Sequence, residues 1–106
     1  MKYISLLLLV LLSVSYIKAE DVPAAHTGFH MEASALMEKM NHEMKAMKPA
    51  GNPDKDFAAM MISHHQGAVE MSEAYLKYGK NDELRKMASK MIEDQKKEIQ
   101  MLKANL

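Results

Sequence analysis

The feature that most constrains the fold is a run of side chains spaced alternately four and three residues apart. The members of this run are Phe57, Met61, His64, Ala68, Met71, Tyr75 and Tyr78. A heptad repeat of this kind lies along one side of an α-helix and is typical of helices that pack lengthwise on a partner. No alternating pattern typical of β-strands occurs in the sequence. The repeat therefore predicts an all-α protein.

A second run with the same spacing follows directly and predicts the partner helix. Its members are Leu84, Ala88, Met91, Gln95, Glu98 and Leu102. Gly79 is a natural helix end, and Asn81 is a natural N-cap. The sequence thus predicts helices over about residues 54–78 and 81–104, joined by a tight turn into a long antiparallel hairpin.

A third helix is predicted before the hairpin, over about residues 30–48. One arc of its helical wheel is apolar and consists of Leu36, Met37, Met40, Met44 and Met47. Pro49 ends it, and Asn52 or Asp54 can cap the helix that follows. The expected architecture is a small helical bundle with three helices per chain, spanning residues 30–106.

The N-terminus predicts export. Lys2 precedes an apolar run from Ile4 to Val14, and Ala19 supplies a small residue for cleavage. We expect residues 1–19 to be a signal peptide and residues 20–29 a flexible leader, which makes the protein periplasmic or secreted. An uncleaved anchor is the alternative, although the run is shorter than the roughly 20 residues that span a bilayer.

The charge of the chain argues against nucleic-acid binding, and its length limits the number of domains. The formal net charge is zero, so no basic field favours nucleic acid. The chain is long enough for one small domain, which a metal or oligomerisation often stabilises. A homodimer that pairs two hairpins into a four-helix bundle is therefore a further expectation.

Twelve methionines and no cysteine indicate a soft-metal site. Thioether sulfur suits Cu(I), and imidazole binds copper in either oxidation state. The densest group of such donors is Met60, Met61, His64 and His65. Met61 lies three and four residues before the two histidines, so either can join it on one face of the helix.

The register of the hairpin brings further donors to this group. With the turn near Lys80, His64 is expected level with the interval between Gln95 and Glu98. By the same register Met61 is expected near Met101, and Met71 near Met91. Met71 is about 10 Å along the helix from His64, so we assign it to the core or to a second methionine site.

Two less specific interpretations compete with metal binding. A histidine paired with Glu98 could be a buried ion pair that fixes the register and binds nothing. Methionine could simply fill an irregular core, and this is the preferred interpretation of the methionines on the first helix.

Enzyme motifs are missing from the sequence. No Glu lies three residues before a His, as di-iron bundles require, and the His-Glu-x-x-His zinc motif is absent. Ser63 and His64 are helical neighbours and do not face each other. We therefore expect a protein that binds rather than one that catalyses.

Several of these residues resemble a known family. Its pattern is carried by Asp56-Phe57, by Met61-Ile62-x-His64-His65-x-x-Ala68-x-x-Met71, and by Ala88, Ile92 and Gln95-x-x-Glu98-Ile99. This pattern resembles the secreted bacterial family known as domain of unknown function 305, over about residues 54–102. The resemblance implies a ferritin-like bundle, and some members are periplasmic Met- and His-rich copper-binding proteins tied to copper resistance.

The resemblance also implies which residues form the site. The motif positions are Asp56, Met61, His64, His65, Met71, Gln95 and Glu98. Where the family has a Met four residues after the Glu, this chain has Leu102, and its own methionine is Met101.

Taken together, these features predict an exported protein that sequesters or carries Cu(I), in preference to Cu(II), and also Ag(I). The predicted metal ligands are His64, His65, Met61, Met60, Met101, Glu98 and Met71. A copper exporter or oxidase would be its donor or acceptor. Two other hypotheses are a helical adaptor that binds a partner through Met-rich faces and a copper redox enzyme.

Overall fold

The computed structural model describes residues 23–106, which form three α-helices. They are α1 (Ala24–Ala46), α2 (Pro53–Tyr78) and α3 (Asp82–Lys103), and no strand occurs in this part of the chain. The prediction of an all-α helical bundle is confirmed. The predicted signal peptide lies outside the described residues. None of these helices combines the length and apolar character that a membrane span needs.

Helix α2 is the central element of the bundle. It packs against both α1 and α3, whereas α1 and α3 do not contact each other within residues 23–106. Across the first interface Glu32 bonds Lys77 at 2.9 Å, and Lys39 bonds Glu70 at 2.8 Å. The partner's number falls as the α1 number rises, so these two helices are antiparallel. The helix α2 therefore has two separate packing faces.

Local signals in the sequence fix where α2 and α3 begin. The side chain of Asn52 accepts a hydrogen bond from the backbone N–H of Asp54 at 2.9 Å, and Asn81 accepts one from Leu84 at 3.0 Å. Such caps satisfy N–H groups that have no partner within the helix. The predicted cap Asn81 is confirmed, and of the two candidates for α2 it is Asn52 that caps the helix.

The turn between α2 and α3 is held by one arginine and one glycine. Nη1 of Arg85 donates to the backbone carbonyls of Leu76 and Gly79, at 2.7 and 2.8 Å. A Cβ atom at Gly79 would lie 2.2 Å from the ring of Tyr75. Glycine is required here because the aromatic ring occupies the space that a side chain would need.

Helix α1 begins six residues earlier than the sequence predicts, so residues 24–29 are helical rather than leader. The reason is aromatic packing across the α1–α2 interface. The ring of Phe29 meets those of Tyr75 and Tyr78 edge-on, with centroids 6.2 and 6.4 Å apart. Gly28 lies directly against Tyr78, where a Cβ would come within 2.7 Å of the ring. These contacts bind the first turns of α1 to the end of α2.

The buried interior is made of small side chains. Its apolar members in the described part of the chain are Ala58, Val69, Ala74, Ala88 and Ile99. Every methionine of residues 23–106 is at least partly exposed. None of these methionines is fully buried, and most of them line clefts between the helices.

Candidate metal centre

Four of the seven predicted ligands meet in one cleft between α2 and α3. This cleft, here called the α2–α3 cavity, has a volume of about 390 Å³. It is lined by Phe57, Met61, His65, Glu98, Met101, Leu102 and Asn105. One imidazole, one carboxylate and two thioethers thus line the same space. The predicted proximity of Met61 and Met101 is confirmed.

The imidazole of His65 is held by Glu98. Its Nε2 atom lies 2.6 Å from Oε2 of the carboxylate, and the histidine side chain is only 12% exposed. An ionised carboxylate can only accept, so Nε2 carries the hydrogen and donates it. In the neutral ring the lone pair is then on Nδ1. That atom is buried and has no hydrogen-bond partner.

This geometry argues against the interpretation of His65 and Glu98 as a purely structural ion pair. A doubly protonated His65 would leave its Nδ1–H buried without an acceptor, and an unsatisfied buried donor costs about 1–3 kcal/mol. A histidine that ligates a metal commonly donates its other N–H to a carboxylate, which sets the tautomer and the ring orientation. The free Nδ1 of His65 fits that arrangement.

Gln95 adds a second unsatisfied polar atom to the same interface. It precedes Glu98 by three residues on α3, and its Oε1 atom is buried without a hydrogen-bond partner. Buried polar atoms in native proteins are normally paired, so each of these two atoms has capacity for one further hydrogen bond. The polar side chain at a heptad position was the sequence signal for this residue.

The expectation that His64 lies at the α2–α3 interface, level with the interval between Gln95 and Glu98, is wrong, because His65 makes the contact with Glu98. His64 is exposed on a different face of α2, where it lines a cavity of about 180 Å³ together with Met40 of α1. One residue turns a helix by about 100°, and α2 has a packing partner on each of two faces. Neighbouring histidines therefore point to different interfaces, with ring centroids 6.0 Å apart.

Met60 and Met71 are also separate from the α2–α3 cavity. Met60 lines a different cleft with Met44 and Met47, near the end of α1. Met71 lines two clefts, one with His64 and one with Met91, which confirms the predicted proximity of Met71 and Met91. The seven predicted ligands are thus divided among several clefts.

A comparison with protein-family models shows which family the chain belongs to. The family model described as domain of unknown function (DUF305) matches residues 11–106. The chain belongs to the DUF305 family. The match extends well beyond residues 54–102 and includes all three helices of this DUF305 protein. The sequence matches no curated protein.

Within residues 23–106, no three side chains of His, Asp or Glu come together in a group that could hold a metal ion.

Proposed function

We propose that this protein is an exported copper-binding protein that sequesters or carries Cu(I), and also Ag(I), outside the cytoplasm and contributes to copper tolerance. The ligands are Nδ1 of His65 and the thioethers of Met61 and Met101. Glu98 holds the imidazole rather than binding the metal. The observation that carries this proposal is that His65, Met61 and Met101 line one cavity, while Nδ1 of His65 has no hydrogen-bond partner in the protein.

The ligand chemistry supports a soft monovalent ion. Thioethers bind Cu(I) but compete poorly for ions such as Mg²⁺ or Ca²⁺, which prefer oxygen. The chain contains no cysteine, so its soft sulfur ligands are the thioethers of methionine. Unlike thiolates, thioethers form no disulfides in the oxidising conditions outside the cytoplasm, which agrees with the apolar N-terminal run expected to direct export.

The exposure of the ligands supports transfer of the ion to another protein. Met101 is 62% exposed, whereas the side chain of His65 is nearly buried. A copper exporter or oxidase could therefore approach the sulfur side of the site while the histidine stays in place. Ligand exchange through the exposed thioether would then pass the ion on.

Binding rather than catalysis is also favoured by the serine beside the histidines. The hydroxyl of Ser63 donates to Oε2 of Glu43 at 3.2 Å, across the α1–α2 interface. Its hydrogen bond goes to a carboxylate, so the serine is not arranged as a nucleophile activated by an adjacent imidazole.

One observation favours a second candidate function, that of a helical adaptor. Leu84, Met87 and Met91 are exposed on α3 and form an apolar groove of about 220 Å³ with Met71 and Tyr75 of α2. Met-rich grooves adapt their shape to apolar partners. Replacing the histidines would leave the function of an adaptor intact but would weaken copper binding. This substitution therefore distinguishes the two candidate functions.

Competition with a chromophoric Cu(I) chelator tests the proposed site. We expect His65→Ala to weaken binding at this site by at least about tenfold. The matched control is His42→Ala, because His42 is exposed on α1 and lies outside the α2–α3 cavity. Equal affinities of the His65→Ala variant and the wild type would overturn the proposal.

A further inference from the structure

We propose that two copies of this chain associate through one broad apolar face, which α1, α2 and α3 form on the same side of the molecule. This face, here called the open face, is centred on Met71 of α2. The proposal goes beyond the function proposed above, because the association needs no metal ion. It also differs from a pairing of two α2–α3 hairpins, since α1 takes part in the contact.

Helices α1 and α3 lie on nearly opposite sides of α2. Ser63 donates a hydrogen bond to α1, whereas His65, two residues later, contacts α3. Glu70 accepts a hydrogen bond from α1, and Ser72, again two residues later, lines a groove with α3. Two residues turn a helix by about 200°. The three helices therefore form a single layer with α2 in the middle, and two sides of α2 stay uncovered within residues 23–106.

The two uncovered sides of α2 differ in polarity. His64, Ala68 and Met71 lie on one side and line a cleft that α1 borders. Gln66 and Glu73 each follow a member of that group by two residues, so they lie on the opposite side, where both are exposed. The layer thus has one largely apolar and one polar surface. The apolar surface of such a layer is normally buried against a second layer.

Met71 joins two apolar clefts into the open face. It lines the cleft of about 180 Å³ between α1 and α2 and also the groove of about 220 Å³ between α2 and α3. Around it, Met37 of α1 and Leu84, Met87 and Met91 of α3 are between 40 and 57% exposed. No Lys, Arg, Asp or Glu lines either cleft. A contiguous exposed surface of this composition marks an interaction site.

The size of the open face fits a stable protein–protein interface. Helix α3 has 22 residues, which corresponds to a length of about 33 Å. Packed helices lie 8–10 Å apart, so the axes of α1 and α3 are separated by about 18 Å. The flat projection of the face is then roughly 600 Å², and its accessible surface, which follows the side chains, is larger. Stable complexes bury about 800 Å² on each partner.

A second copy of the chain satisfies the requirements of this face. The formal net charge is zero, so two copies do not repel each other through net charge. In a two-fold dimer the same patch meets itself, and methionine is enriched in interface cores while charged residues are depleted there. A single helix from another protein, about 10 Å wide, would cover only one of the two clefts. A second three-helix layer covers both.

Sedimentation equilibrium over a concentration series, with a metal chelator in the buffer, tests this inference. The wild type should form dimers, and Met87→Glu combined with Met91→Glu should weaken dimerisation by at least about tenfold, because two carboxylates would have to be buried. The matched control is Met31→Glu. Met31 is 67% exposed and lies nine residues before Met40, which places it on the opposite side of α1. Far-ultraviolet circular dichroism checks that the variants remain helical.

Three outcomes would overturn the proposal. A wild type that stays monomeric at every concentration would leave the open face to a partner of another kind. Dimerisation that survives the substitutions at Met87 and Met91 would place the interface elsewhere, and so would dissociation caused by Met31→Glu. The chelator keeps these results independent of copper binding.

Thiol labelling supplies a second readout that does not disrupt the interface. The chain contains no cysteine, so an introduced thiol is the only thiol available to a maleimide. In Met87→Cys the reaction with a bulky maleimide should become slower as the protein concentration rises, because association buries the thiol. In Met31→Cys the rate should not depend on concentration. Rates that respond alike at the two positions would overturn the assignment of the open face.

Discussion

Nε2 of His65 lies 2.6 Å from Oε2 of Glu98, and this contact joins the middle of α2 to the second half of α3. In a neutral imidazole this contact places the hydrogen on Nε2, and the buried Nδ1 has no hydrogen-bond partner. A purely structural histidine would be expected to use both of its nitrogens. The contact therefore orients a donor as well as joining two helices.

The first prediction concerns Glu98. Glu98→Ala removes the acceptor that orients the imidazole, so Cu(I) affinity at this site should fall by about 10–100-fold. Glu98→Gln should cause a smaller loss, because the amide oxygen can still accept from Nε2. A chelator competition assay measures both, with Glu93→Gln at an exposed position of α3 as the control. Equal losses in the Ala and Gln variants would instead indicate that the carboxylate binds the metal directly.

The second prediction separates ligand methionines from packing methionines. Met61→Leu combined with Met101→Leu should change the free energy of unfolding by less than about 1.5 kcal/mol, since neither side chain is buried and leucine conserves volume. The same variant should lose much of its Cu(I) affinity. Urea denaturation and chelator competition on one preparation give both values. A large loss of stability with unchanged affinity would make these methionines packing residues.

The third prediction concerns the start of α1. Phe29→Ala removes two edge-on contacts, with Tyr75 and Tyr78, and should lower the free energy of unfolding by about 1–3 kcal/mol. It should also reduce helical circular dichroism, because these contacts hold the first turns. Met31→Ala, two residues further on, is exposed and should change stability by no more than about 0.5 kcal/mol. Equal effects of the two substitutions would show that the aromatic cluster does not anchor the helix.

The fourth prediction concerns pH. The hydrogen bond from Lys77 lowers the pKa of Glu32 below its ordinary value of 4.5. A carboxylate with a lowered pKa in the folded state stabilises the protein above its unfolded pKa, and this contribution is lost as the pH falls through the folded value. Glu32→Gln should therefore lower Tm slightly at neutral pH, and this effect should disappear once the pH is well below the folded pKa of Glu32. A difference in Tm that persists in acid would contradict this assignment.

Much of the fold could be predicted from the sequence because its signals are local. The heptad runs, the caps Asn52 and Asn81 and the stop at Gly79 depend on residues within a turn or two of each other. The early start of α1 could not be predicted in this way. It depends on Phe29 meeting Tyr75 and Tyr78, which lie far away along the chain.

The sequence predicts both His64 and His65 as ligands, but it does not distinguish which of the two contacts α3. The prediction uses one heptad run for α2, which is appropriate for a helix with one packing partner. In the structure α2 packs against both α1 and α3, on different faces. The assumption of one partner places His64 on the side of α3, level with the interval between Gln95 and Glu98, although His65 makes the contact with Glu98. Export and a homodimer stay predictions.

Metal selectivity is the most direct test of the central claim. Purified protein should be titrated with Cu(I) and separately with Zn(II), each against a chelator of known affinity. An imidazole with two thioethers, and no thiolate or group of three His, Asp or Glu within residues 23–106, should hold Cu(I) far more tightly than Zn(II). Zn(II) binding as tight as or tighter than Cu(I) binding would contradict a soft-metal function for this protein.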